Sequence, residues 1–153
     1  ICVCKSIPIH GRLESFIGRH PQNRLKMATG VRNGRNAITH FKRLGSYGPF
    51  HHVECTLETG RTHQIRVHLN SLKKAPIMLD PLYGNPVQDL MRLKKLLPFV
   101  DIQEYPHPLL HARILGFVHP VTKEELFFEA EPPSYFKKML ETIQHLKVEN
   151  EGI

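Results

Sequence analysis

The sequence predicts an α+β domain with a mixed, largely antiparallel sheet flanked by helices. Residues 36–47 and 50–58 read as two strands joined at Gly48-Pro49, and in the second Val53, Cys55 and Leu57 alternate as a half-buried strand requires. Apolar residues then change to helical spacing, at Ile65, Leu69 and Leu72 and again at Met139, Ile143 and Leu146. The strand candidates are mostly joined by short turns rather than crossover helices, which favours antiparallel pairing.

In chain order, residues 1–9 carry β-branched and small apolar side chains and predict a strand, with a turn at His10-Gly11 and a return over residues 12–17. Residues 18–34 combine Gly, Pro and Asn with Arg19, Arg24, Lys26 and Arg32, a poor core and a good basic loop. Thr62 is positioned to cap a helix running to about Lys73. Residues 75–84 predict a short strand and loop. Asn85-Pro86 opens the next helix, with Asn as cap and Pro in the first turn, ahead of Val87, Leu90, Met91 and Lys94. Three prolines make residues 98–108 a connection. Residues 110–119 and 124–131 predict a hairpin, and Ser134 is the expected cap of a last helix.

At 153 residues, 41% hydrophobic and 23% charged, the chain has the balance of one globular domain. A formal net charge of +7 favours a polyanionic partner such as nucleic acid. The three cysteines, Cys2, Cys4 and Cys55, lack Cys-x-x-Cys spacing, which argues against a disulfide framework or zinc knuckle and favours a reducing cytoplasm. No apolar run approaches the roughly 20 residues needed to span a bilayer.

Chemistry concentrates between Thr59 and Arg66, where two arginines, a histidine and an amide side chain fall within six residues. Such a cluster is costly to bury without partners, and the planar Arg fork suits a carboxylate or phosphate. Arg61, at the start of the helix, is well placed for a phosphate, because unpaired amides there also favour an anion. His63 and Gln64 are expected to hold the helix start and its loop. The eleven histidines include His63 and His68 on one helix, but their i, i+5 spacing, with no Cys or carboxylate in a recognised pattern, argues against a metal site. A metal-dependent hydrolase is correspondingly disfavoured.

The block TGRTHQIRVH, followed by Asp80-x-x-Tyr83-Gly84, resembles the signature of the RluA-like pseudouridine synthases. Residues 23–28 (NRLKMA), the stretch LHARILGFVHP at 110–120 and the Glu131-Pro132-Pro133 ending agree with that family in the same order. The resemblance implies an RNA-directed isomerase that needs no cofactor or metal, acting as a monomer on ribosomal or transfer RNA. It implies that Arg66 partners a nucleophilic aspartate from an upstream HRLD block, that Arg61, Arg24 and Lys26 contact RNA, and that Asp80 and Tyr83 are structural. The three aspartates Asp80, Asp89 and Asp101 stand in no HRLD context. Residues 1–153 are therefore expected to be the C-terminal portion of such a catalytic domain, inactive alone. The competing expectation is a non-catalytic RNA-binding module of the same fold.

Overall fold

The computed structural model describes residues 1–100 and 107–146. Its elements are β1 (Cys2–Val3), β2 (His10–Arg19), β3 (Met27–Thr29), β4 (Arg35–Tyr47), β5 (Phe50–Leu57), α1 (Gln64–Lys73), α2 (Pro86–Leu96), β6 (Ile114–Val118), β7 (Glu125–Glu129) and α3 (Ser134–Gln144). An antiparallel sheet of order β1-β5-β4-β2-β3 carries α1, and β6 and β7 form a separate two-stranded sheet. The α+β class and both hairpins are as the sequence predicts. The β4–β5 turn uses Gly48 at φ 59°, a left-handed conformation glycine adopts at little cost.

The start of the chain is connected differently from expectation. His10 and Gly11 lie inside β2, opposite Lys42 and Phe41, while β1 pairs with β5 through Cys2↔His51 and Val3↔Phe50. Gly11 is there for space: a Cβ would come within 2.6 Å of the Phe41 ring. The basic loop at 18–34 also contains a strand, β3, because Met27–Thr29 pairs with Ile17–Arg19. Residues 75–84 contribute only an isolated bridge, Cys2↔Ile77, in place of the expected strand.

Helix boundaries follow the sequence more closely than helix faces do. Asn85 caps α2 by accepting from the Gln88 amide, with Pro86 in the first turn. Yet Val87 and Met91 are each 68% exposed, and α2 buries Asp89 and Leu93 instead. The reason is polar: the Asp89 carboxylate accepts from the buried Leu79 amide at 2.9 Å, and Leu79 sits in a left-handed conformation. Ser134 is the first residue of α3 rather than its cap, while Met139 and Ile143 are buried as predicted. α1 begins after His63, itself left-handed at φ 56°, so Thr62 is not the cap. Its buried residues are Gln64, Val67, His68 and Leu69, with Leu72 exposed, because Leu69 and Val67 enter two separate core clusters.

Those clusters explain how the site is held. Leu69 packs with Cys2, Ile7, Leu13, Phe41, Ala75 and Ile77, and Val67 packs with Ile17 and Ala37, so α1 is fixed across the sheet at two points. A third cluster, including Phe50, Met78, Leu93, Phe136 and Ile143, joins the opposite end to α2 and α3. At about 1.5–3 kcal/mol per fully buried large side chain, these contacts position α1 far more firmly than helix propensity could.

Candidate functional site

The first residue of α1, Gln64, is buried and bonded on every side. Its Oε1 accepts from Thr59 Oγ1 at 2.8 Å and from the Arg61 amide at 2.9 Å, and its Nε2 donates to Ile38 O and Thr39 Oγ1, each at 3.0 Å. Thr59 Oγ1 also accepts from the Ile38 amide. Through Gln64 the turn 59–63 is thereby locked to β4. Behind it, the buried His68 lies between Thr39 Oγ1 and Ser15 Oγ, each 2.9 Å away, and burial lowers its pKa, favouring the neutral ring.

Two residues further along α1, Arg66 pairs with Asp80. Nε donates to Oδ2 at 2.7 Å and Nη2 to Oδ1 at 2.8 Å, the planar two-bond geometry that Arg alone provides. Asp80 is fully buried, and its Oδ1 also accepts from the Leu82 and Tyr83 amides. Burial pushes the carboxyl up, but the Arg66 bonds and the two amides together hold it below its ordinary value. No described residue takes the remaining Nη1 of Arg66. The Tyr83 ring lies against the guanidinium, 5.0 Å from Cζ to the ring centroid.

Tyr83 carries the network to β3. Its hydroxyl oxygen accepts from the Met27 amide at 2.7 Å and lies 2.8 Å from His63 Nδ1. Burial and the Arg66 charge lower the His63 pKa, which favours the neutral ring. The left-handed His63 is therefore anchored by its side chain. Lys26 places Nζ 6.0 Å from the Tyr83 ring centroid, and Arg24 is exposed in the preceding turn. Arg61 donates through Nε to Asn36 O at 3.0 Å and is half-exposed beside the same helix start.

The structure thus brings Arg61, His63, Gln64, Arg66, Asp80, Tyr83 and Lys26 together at one end of α1, with Arg24 two residues from Lys26. Sequence reasoning missed Thr39 and Ser15, for which a hydroxyl residue in a strand gives no signal, and the Met27 amide, which no side-chain pattern reveals. Arg66 lies against Asp80 because residues 77–83 fold back over α1. Among the described residues no cluster of three or more His, Cys, Asp or Glu could hold a metal, and no helix is long and apolar enough to cross a membrane. Asp101 lies outside the described residues. The arrangement can hold a permanent cation in a fixed plane, with one nitrogen free for a further anion, among half-exposed basic groups.

Comparisons with known proteins fit this geometry. A model of the RNA pseudouridylate synthase family matches residues 1–71. The chain is 40% identical over 139 residues to ribosomal large subunit pseudouridine synthase D of Neisseria meningitidis serogroup B, covering 90% of this chain and 36% of that protein. It is 38% identical over 135 residues to the enzyme of the same name from Xanthomonas campestris, covering 88% and 40%. The chain therefore spans well under half the length of these relatives. Among solved structures, human RNA pseudouridylate synthase domain containing 1 superposes with a TM-score of 0.64 at 26% identity, over 86% of this chain and 52% of that one.

Proposed function

The chain belongs to the RluA-like family of pseudouridine synthases, and from that premise we propose that it is the C-terminal portion of a catalytic domain that isomerises uridine in ribosomal or transfer RNA. The aspartate that attacks the sugar is supplied by the segment upstream of the matched region. In the reaction the aspartate carboxylate displaces N1 of the base from the sugar carbon, the base turns, C5 bonds to that carbon as the carboxylate leaves it, and the proton that C5 gives up is matched by one taken up at N1. The whole enzyme works as a monomer in the cytoplasm and needs no cofactor.

The observation that carries this reading is the Arg66–Asp80 pair. Asp80 occupies Nε and Nη2, which fixes the plane of the guanidinium and leaves Nη1 for a second carboxylate. An aspartate acting in a water-poor pocket has to stay ionised, and a fixed guanidinium opposes the upward shift that burial causes. Asp80 serves here as the positioning residue of Arg66. It is not the nucleophile, because its two oxygens already take four hydrogen bonds. Asp89 is buried on α2 against the Leu79 amide. Arg61, Arg24 and Lys26 supply the phosphate contacts around this point.

The test uses RNA bearing 5-tritiated uridine, with two proteins: residues 1–153 alone, and the same chain joined behind the upstream portion of the Neisseria relative. The joined protein should release tritium and the chain alone should not. In the joined protein, Arg66→Lys should lower kcat about a hundredfold or more. Tritium release by the chain alone would sink the missing-nucleophile reading. A joined protein that binds the RNA without releasing tritium would leave an RNA-binding module in place of an enzyme.

A further inference from the structure

The first residue past β1, Cys4, sits among groups that the chemistry at Arg66 does not use. Its amide donates to Pro49 O at 3.0 Å and the preceding Val3 amide to Pro76 O at 2.9 Å, so the backbone here is held from two sides. Two buried side chains aim donors at it. Cys2 lies in the cluster around Leu69, against which Cys4 packs, and its thiol donates to the Cys4 sulfur. His51 has Nε2 3.2 Å from Cys4 O and Nδ1 2.8 Å from Ser46 Oγ. A carbonyl oxygen only accepts, so Nε2 carries a hydrogen, and the same ring also bonds the Cys4 sulfur.

These contacts decide which of the two thiols ionises. The bond from Cys2, with those from the His51 ring and the Ser6 amide, outweighs burial and brings the Cys4 thiol down to about 5. The same bond, together with burial, pushes Cys2 up and keeps it a thiol. Cys4 is also the more open of the pair, half-buried where Cys2 is fully covered. It lines a cleft of about 510 Å³ between the end of α1 and α2, with Lys5, Lys74, Gln88, Asp89, Arg92 and Tyr83. Three exposed cations there face one carboxylate, and Asp89 is already committed to the Leu79 amide.

We propose that Cys4 is a covalent modification site whose sulfur exchanges with small acidic disulfides drawn into this cleft. The thiolate is the attacking form in such exchange, and Lys5, Lys74 and Arg92 suit the carboxylates of the reagent. The Cys4 sulfur bonds to one sulfur of the disulfide as the reagent's own S–S bond breaks, and the other half leaves as a thiolate that takes a proton from water. Cys4 is thereby oxidised to a mixed disulfide and the leaving half is reduced; attack by a free thiol reverses the step. Cys2 is the positioning residue, because its hydrogen bond holds the charge on Cys4.

The joined protein provides the test, with products mapped peptide by peptide so that cysteines of its Neisseria portion do not interfere. A rate at one pH is a poor readout, because a weakly basic thiolate is also a weaker nucleophile. The pH profile is decisive. Alkylation of Cys4 by iodoacetamide should change less than about twofold between pH 8 and pH 6, where an ordinary thiol slows on the order of a hundredfold. Cys55, which burial pushes up to about 11, is the internal comparison and should slow throughout. In concentrated urea the Cys4 profile should become ordinary, and Cys2→Ala should move it toward higher pH in the folded protein. At pH 7 Cys4 should react at least about tenfold faster with glutathione disulfide than with the cationic disulfide cystamine, and Lys5→Gln with Arg92→Gln should narrow that ratio. A Cys4 profile that falls in step with that of Cys55 would overturn the proposal. Equal rates with the two disulfides would overturn the acidic partner, and an unshifted profile in Cys2→Ala would overturn the part given to Cys2.

Discussion

At the scale of single residues, the site turns on one buried carboxylate and the guanidinium that faces it. Removing the cation leaves Asp80 buried with only its two amide donors, and an unpaired buried charge costs about 3–5 kcal/mol. Arg66→Ala should therefore lower stability by about 3 kcal/mol, toward the lower end because the Leu82 and Tyr83 amides remain. Asp80 also predicts a pH dependence. Its folded pKa lies below the ordinary 3.8, so the unfolded chain takes up the proton more readily. The contribution is complete above about pH 4 and is lost as pH falls through the folded value. Urea midpoints of the wild type and Asp80→Asn should differ at pH 7 and converge below pH 4; a difference constant across that range would show that the carboxylate charge contributes nothing.

Between elements, Tyr83 ties the loop after α1 to β3 and to the left-handed residue before α1. Tyr83→Phe keeps the ring against Arg66 but deletes the oxygen that receives the Met27 amide and meets His63. The expected loss is about 1–2 kcal/mol, with faster exchange of the Met27 amide and little change in α2. Equal acceleration throughout the protein would point instead to a general loss of stability. This junction also marks where the sequence is readable. Asn85-Pro86 announces α2 because its capping chemistry is complete within four residues. The start of α1 is not announced in this way, because His63 is held by a tyrosine 20 positions away. The neighbour of the first strand is hidden for the same reason, since β1 meets β5 about 47 residues on and local pattern carries no trace of that pairing. The need of Arg66 for an anion was legible; that Asp80 meets it depends on the fold-back of residues 77–83 and is not.

Across the whole molecule, the excess positive charge matters most where it surrounds the site. Arg61 stands at the start of α1, Lys26 beside Tyr83 and Arg24 two residues further out, so three of the 21 basic residues border the end where Arg66 is held. A cation that neutralises a phosphate releases a condensed counterion, and affinity then falls with salt in proportion to the number of such contacts. Cations elsewhere add to the long-range field without changing that slope much. Binding of a structured ribosomal RNA fragment by the joined protein should therefore weaken linearly in log salt. Arg61→Gln, Arg24→Gln and Lys26→Gln should each reduce the slope by about 1. Lys94→Gln, on the far helix α2, should leave it unchanged. A slope unaltered by the first three would mean that RNA reaches Arg66 by another face, and the open side of the sheet bearing Arg12 and Lys42 would be the next surface to neutralise.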